Sequence, residues 1–183
     1  MSLRHVLLLG LCLLLAQGCV NRIELDETNP ASADVGGRWI LDVGASDPTP
    51  DFRRNRVGQV NARTSAGAQR QALRIALGSG LAFIVQDFQI LSANELNIEL
   101  NADSMGVQHL PGVYRDVSWG EKQRGLWLVY AGWEGNDLVI FSDAEDLKVV
   151  ERMQRIGNRL RVEVQLEADG REETLVRVFR RPT

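Results

Sequence analysis

Residues 147 to 180 read LKVVERMQRIGNRLRVEVQLEADGREETLVRVFR, and this stretch carries the clearest secondary-structure signal of the chain. From Leu160 to Leu166 an apolar residue stands at every second position, and Arg, Glu and Gln stand between them. This period of two predicts a strand with one buried face and one wet face. Because hairpin-type turn sequences flank it at Gly157-Asn158 and Asp169-Gly170, we expect three consecutive antiparallel strands here.

Short apolar runs divided by turns continue this pattern upstream. The run at 126–133 is apolar on both faces and predicts a central strand that is covered on both sides. Phe52 to Gly78 is the one stretch with helical character, in two pieces. The remaining strands are expected at 38–43, from Phe83, and at 96–100, 113–119, 138–141, 147–156 and 174–181.

Together these runs predict a mainly β fold, an antiparallel meander with a short helical insertion. The C-terminal block, which ends in Arg-Val-Phe-Arg-Arg, is similar in style to bacterial lipocalin-like domains. This resemblance implies a lipocalin-like barrel or an open half-barrel.

The N-terminus differs in kind from the rest of the chain. Val6 to Ala16 is apolar apart from Gly10, but it is too short to cross about 30 Å of hydrocarbon, which needs roughly 20 residues. It is typical of the apolar region of a signal peptide and ends in Ala16-Gln17-Gly18-Cys19. These residues resemble the lipobox of bacterial lipoproteins, although Ala16 and Gln17 depart from its usual Leu and small residue.

The lipobox resemblance implies cleavage before Cys19 and attachment of palmitate-type acyl chains to that residue, which would anchor the protein stably in a membrane. The chain then divides into a signal peptide (1–18), a lipidated tether (19–36) and a single β-rich domain (37–183). Val20 stands where the family's inner-membrane retention signal has Asp. The resemblance therefore implies an exported protein in the outer membrane, facing the periplasm.

Composition excludes several classes of function. The formal net charge of −3 favours neither nucleic acid nor a strongly basic partner. The two cysteines are Cys12, inside the signal peptide, and Cys19, so the mature domain has no thiol for a disulfide or a cysteine zinc site. We expect no cofactor.

His109 is the only histidine of the mature chain and cannot form a cluster of several metal-binding histidines. As a general base it would need Ser104 or Ser118 as nucleophile and Asp103 or Asp116 as orienting acid. No Gly-x-Ser-x-Gly motif accompanies it. We therefore interpret it as a turn residue and predict no catalytic residue.

Acidic residues cluster at Asp143, Glu145 and Asp146, after Glu134 and Asp137. Such a cluster suits calcium, or a carboxylate pair for glycoside hydrolysis. The spacing is not that of an EF-hand, so we interpret it as a solvated loop and predict no metal site.

The helical stretch is rich in arginine, whose planar side chain suits phosphate and carboxylate. A solvated helix face is the favoured interpretation, and a surface for an anionic partner is the alternative. The arginines are Arg53, Arg54, Arg56, Arg63, Arg70 and Arg74.

Tryptophan is the other uneven feature, with four residues in a chain that is 6% aromatic. Trp119, Trp127 and Trp133 are candidates for lining a ligand pocket inside a barrel. Packing in the core is the favoured interpretation.

Three functional hypotheses follow. The leading one is a non-enzymatic, membrane-tethered binding or assembly module of the cell envelope, with a protein, lipid or anionic polymer as partner. The first alternative is a lipocalin-like carrier of a small apolar ligand or lipid, and it needs a hollow core. The second alternative is an envelope hydrolase that uses His109.

Overall fold

A computed structural model describes residues 24–50, 84–85, 87–168 and 170–182. These residues form one sheet of ten antiparallel strands, which confirms the mainly β meander. No helix within the described ranges is long and apolar enough to cross a membrane. The strands, β1 to β10 in chain order, are Gly37–Leu41, Glu95–Leu100, Ser104–Leu110, Tyr114–Ser118, Gly120–Arg124, Trp127–Glu134, Asp137–Ala144, Leu147–Ile156, Arg159–Ala168 and Arg171–Arg180.

The strand order is β4-β3-β2-β1-β10-β9-β8-β7-β6-β5, so the first and last strands pair with each other in the middle of the sheet. Its edges are β4 and β5, which are consecutive in the chain. The Arg124 guanidinium of β5 lies 3.4 Å from the Asp116 carboxylate of β4, so the two edges are neighbours in space. The sheet is therefore an open barrel, and we call the gap between β4 and β5 the seam.

The alternation that predicted β9 is confirmed residue by residue. Leu160, Val162 and Val164 are fully buried, while Arg161 and Glu163 are only half-buried on the outer face. Full-length pairing with β8 and β10 fixes this register, because a shift by one residue would exchange the two faces. The apolar face joins one large core cluster that fills most of the concave side.

The structure differs from the sequence prediction at four places, one of which is β5, a strand that was not predicted. Ile84 and Val85 form a helical turn rather than a strand. The strand predicted at 126–133 is β6, which lies next to the edge strand, and its outer face is only partly covered, with Leu128 exposed. β3 was not predicted as a strand. The helical stretch predicted at 52–78 lies outside the described residues.

Residues 24 to 36, which we expected to belong to the tether, contact the sheet. The backbone N–H and C=O of Asp26 bond to Trp133 of β6, at 2.9 and 2.8 Å. Leu25 lies against Gly132, where a Cβ would come within 2.7 Å of the Leu25 side chain. Val35 is fully buried.

Connections in a meander alternate between the two ends of the sheet, which gives the domain two distinct ends. The mouth end carries the turns 111–113, 125–126 and 145–146. The anchor end carries the turns 135–136 and 157–158 and is reached by residues 24 to 36 through the hydrogen bond from Ser32 to Asn136, at 2.7 Å.

Arg177 is an inward-facing charge in β10 and is almost fully buried. Its guanidinium donates to the Ala93 carbonyl at 2.9 Å, the Thr49 hydroxyl at 3.1 Å and the Asp47 carbonyl at 3.2 Å. These bonds fasten the chain that leaves β1 and the chain that enters β2 to the sheet. Arg177 therefore has a structural role beside the mouth end.

Candidate functional site

A cavity of about 310 Å³ opens at the seam, near the mouth end. Its walls come from the segment before β2, the β3–β4 turn, and the strands β4 to β7. Small-molecule sites in proteins begin at about 300 Å³, so the cavity is large enough for a compact ligand. It exists here because β4 and β5 do not pair with each other, which leaves the interior open between them.

One wall of the cavity is aromatic. Phe88 and Trp127 meet edge to face, with ring centroids 5.1 Å apart and planes at 88°. The Phe88 backbone N–H donates to the Ile84 carbonyl at 2.8 Å, which holds this residue in place. Trp127 is the first inward-facing residue of β6. The Arg115 guanidinium lies 5.6 Å from the Phe88 ring centroid, within cation–π range. An apolar or aromatic ligand group would find a preformed surface here.

Arg115 and Ser142 lie at the floor of the cavity, and the buried Glu151 lies behind Arg115. Arg115 of β4 donates to Glu151 of β8 at 2.6 Å, and the two side chains are 19% and 0% exposed. Both face inward because of strand alternation, Glu151 between the buried Val149 and Met153. A pair withdrawn from water in this way carries a large desolvation cost, which close contact offsets. The pair also joins strands on opposite sides of the barrel interior.

Two polar atoms in this region, one of which belongs to the pair, have unused hydrogen-bonding capacity. Glu151 Oε2 and Ser142 Oγ are buried, and neither has a hydrogen-bond partner among the described residues. Ser142 lines the cavity on β7, one inward position from Ile140, which pairs with Glu151. A buried polar group without a partner costs about 1–3 kcal/mol, so this floor favours a polar guest over an empty or purely apolar one.

His109 is buried at the end of β3 and also lines the cavity. Burial lowers the pKa of its imidazole, and the Arg115 charge adds to this, while the Val113 carbonyl and the Glu151 carboxylate act in the opposite direction. The ring is therefore neutral near pH 7. Its Nδ1 lies 3.2 Å from the Val113 carbonyl, and this bond assigns the proton to Nδ1 and leaves Nε2 as an acceptor.

The serine–histidine–acid arrangement considered from the sequence is not formed by these residues. Ser104 begins β3 and His109 lies five positions further along the same strand, a separation of about 16 Å at the usual rise per residue. Ser118 pairs directly with Ser104 and is equally distant. The orienting partner of His109 is a backbone carbonyl rather than Asp103 or Asp116.

Of the three candidate tryptophans, only Trp127 lines the cavity. Trp119 and Trp133 pack edge to face with centroids 5.8 Å apart, buried toward the anchor end. They belong to the core, as the favoured interpretation had it. Neither is among the residues that line the cavity at the seam.

The acidic cluster is dispersed in the structure. Glu134 and Asp137 both bind Arg152, at 2.5 and 3.2 Å. Glu145 and Asp146 form the exposed turn between β7 and β8. Within the described ranges, no three Asp, Glu, His or Cys side chains converge on a point that could hold a metal ion.

Two sets of predicted site residues lie outside the described residues. They are the lipidation residue Cys19 and the six arginines Arg53, Arg54, Arg56, Arg63, Arg70 and Arg74. Their assignments stay predictions.

Sequence reasoning missed Phe88, Arg115 and Glu151. For Glu151 a signal was present, because the alternation of Leu147, Val149, Glu151 and Met153 places a carboxylate at an inward position. Phe88 and Arg115 carried no comparable signal, since their importance depends on the seam.

Comparisons with known proteins found solved structures of similar shape at low identity. Human cRBP IV is 19% identical, with a TM-score of 0.48 over 82% of this chain and 99% of its own. Lipid binding protein 8 of Caenorhabditis elegans is 13% identical, with a TM-score of 0.49 over 80% of this chain and 94% of its own. A secretory abundant heat soluble protein from Ramazzottius varieornatus is 13% identical, with a TM-score of 0.47 over 85% and 99%. No protein-family model and no curated protein sequence matches this chain.

Proposed function

We propose that this protein is a membrane-tethered binding protein of the cell envelope that holds a small amphipathic molecule in the cavity at the seam. The observation that carries the proposal is the cavity itself, with the aromatic pair Phe88–Trp127 on one wall and, at its floor, Arg115, which is paired with the buried Glu151 behind it. An apolar body would pack on the aromatic wall. A polar head would reach the floor.

The size of the cavity limits the ligand. The inward-facing residues beyond it, such as Trp39, Met105 and Ile140, are fully buried in the core cluster. A volume of about 310 Å³ suits a compact molecule of one or two rings better than an extended acyl chain. The carrier hypothesis is therefore favoured in a narrower form, for a small ligand with a polar end.

The polar groups that line the cavity indicate which hydrogen-bonding groups the head of the ligand would carry. Of the groups that line the cavity, the neutral His109 Nε2 can accept a hydrogen bond and the Ser142 hydroxyl can donate or accept one. Arg115 has its charge compensated by Glu151. A hydroxyl, amide or amine would complete these bonds, and the buried groups would make the fit selective, because an analogue without that head leaves them unpaired.

Membrane attachment is the second part of the proposal and rests on the lipobox resemblance at Cys19. Val20 supports sorting to the outer membrane, with the domain in the periplasm. A tethered binding domain would keep its ligand or partner at the envelope.

The test is native mass spectrometry of the protein purified from its own membrane. We expect a discrete small-molecule adduct in addition to the acyl groups. Val113→Trp places an indole at the cavity mouth, at a residue that is 60% exposed, and should remove the adduct with little loss of stability. Ile156→Trp, at an exposed position on the anchor end, is the matched control and should keep it. An adduct that is absent from wild type, or that Val113→Trp retains in full, contradicts the proposal.

A further inference from the structure

The path of residues 24 to 26 shows from which end of the barrel the N-terminal chain reaches the domain. Asp26 pairs with Trp133 in antiparallel sense, on the stretch of the β6 edge that β5 leaves free. Because β6 runs from the mouth end to the anchor end, residues 24 to 26 approach from the anchor end. Glu24 is exposed there, and the Leu25 N–H bonds to the Tyr130 hydroxyl at 3.0 Å.

Further contacts hold this segment at the anchor end. The Asp34 carboxylate forms ion pairs with Arg155, which lies just before the β8–β9 turn, at 2.5 Å and with Arg181, which follows β10, at 3.0 Å. With Ser32 bonded to Asn136 and Val35 buried, the chain from Leu25 to Gly36 is part of the folded domain. The free length between the domain and Cys19 is therefore short.

That length sets a limit on the distance between domain and lipid. Cys19 and Glu24 are five residues apart, which span at most about 17 Å when fully extended. Trp127, at the cavity, lies six residues along β6 from Trp133, which is about 20 Å further at the usual strand rise. The anchor end is thus kept near the bilayer, and the cavity is not.

We propose that the anchor end of the domain faces the bilayer and that the cavity at the seam opens away from it, toward the aqueous compartment. This inference rests on the proposed lipid anchor at Cys19. It has a functional consequence: the ligand would enter from water or from a partner across the compartment, rather than directly from the membrane in which the protein is anchored.

The experiment measures how close each end comes to the lipid head groups. Cys12 leaves with the signal peptide and Cys19 carries the lipid, so an added cysteine is the only free thiol of the mature protein. Ile156→Cys lies on the anchor end and Leu126→Cys on the mouth end, at residues that are 57% and 83% exposed. Each lipidated variant is labelled with a fluorophore and reconstituted into vesicles that contain a head-group spin-labelled lipid.

We expect strong quenching of the label at residue 156 and little at residue 126, relative to vesicles without spin label. Equal quenching, or stronger quenching at residue 126, overturns the orientation while leaving the anchor intact. If neither variant floats with the vesicles, the lipid anchor itself is wrong, and the orientation falls with it.

A longer tether provides the matched control. Inserting a flexible segment of about 20 Gly and Ser residues after Val20 gives a root-mean-square reach of about 25 Å, enough for the domain to turn over. The quenching difference between residues 156 and 126 should then shrink. A difference that survives the insertion unchanged contradicts the tether as the cause of the orientation.

Discussion

The Arg115–Glu151 pair gives the sharpest test of the site, because removing one partner should cost much more than removing both. In Arg115→Met, the fully buried Glu151 carboxylate loses the guanidinium that lies 2.6 Å from it. Breaking a buried pair in this way costs about 3–5 kcal/mol in the free energy of unfolding. That is a large share of the stability of an ordinary domain.

The double variant Arg115→Met/Glu151→Leu replaces the pair by apolar groups of similar volume. Such replacements are often neutral or stabilising, so the double variant should recover to within about 1–2 kcal/mol of wild type or exceed it. Glu151→Leu alone should cost less than Arg115→Met, because the partly exposed Arg115 can turn toward water.

Urea unfolding followed by tryptophan fluorescence measures all four proteins, and Trp39, Trp119 and Trp133 are buried reporters away from the substitutions. The four proteins form a double-mutant cycle, and its coupling free energy should be large and should show that Arg115 and Glu151 stabilise each other. An Arg115→Met variant within about 1 kcal/mol of wild type would contradict a tightly coupled, buried Arg115–Glu151 pair. So would a double variant as unstable as Arg115→Met.

Four further outcomes are expected. Cys19→Ala should give protein that is unprocessed or released from the membrane, as judged by intact mass and fractionation, and a normally cleaved, membrane-bound variant would contradict the lipid anchor. Val162→Asp buries an unpaired charge and should cost several kcal/mol, while Glu163→Lys on the outer face should change stability by no more than about 0.5 kcal/mol. Equal losses in thermal melts would contradict the register. Because burial lowers the pKa of His109 in the folded state, the free energy of unfolding should fall as the pH drops below the unfolded-state pKa of about 6.5, by at most about 1.4 kcal/mol per pH unit. His109→Gln should lose this part of the pH dependence in urea titrations at a series of pH values. If the arginines of 53–74 contact an anionic envelope component, the soluble domain without Cys19 should bind anionic vesicles more weakly as the salt concentration rises, since charges are screened over about 8 Å at physiological ionic strength. Equal binding to neutral vesicles would indicate a solvated helix face instead.

The C-terminal strands were predictable because their signal is local. In β9 each buried residue has a polar neighbour, and the turns at both ends are sequences that favour hairpins. β3 was missed because its apolar signal is short: only two apolar residues, Met105 and Val107, stand on its inward side before the polar His109. The inward face of that strand is carried by Met105, Val107 and His109.

The cavity was not predictable in the same way, because it depends on which strands remain unpaired. The pairing of β1 with β10 joins Ile40 to Arg180, residues far apart in the sequence, and it places the edges at β4 and β5. No local pattern reports such a contact. The roles of Arg115 and Trp127 follow only once the seam is known, whereas the inward position of Glu151 could be read from the alternation of β8.

A crystal structure of the protein extracted from its native membrane, with whatever it carries, would show whether the cavity holds a ligand. We expect density for a non-protein molecule between Phe88, Trp127 and Arg115, with a polar group near Ser142. A cavity closed by rearranged protein side chains, or one that holds only water in protein prepared without delipidation, would contradict it.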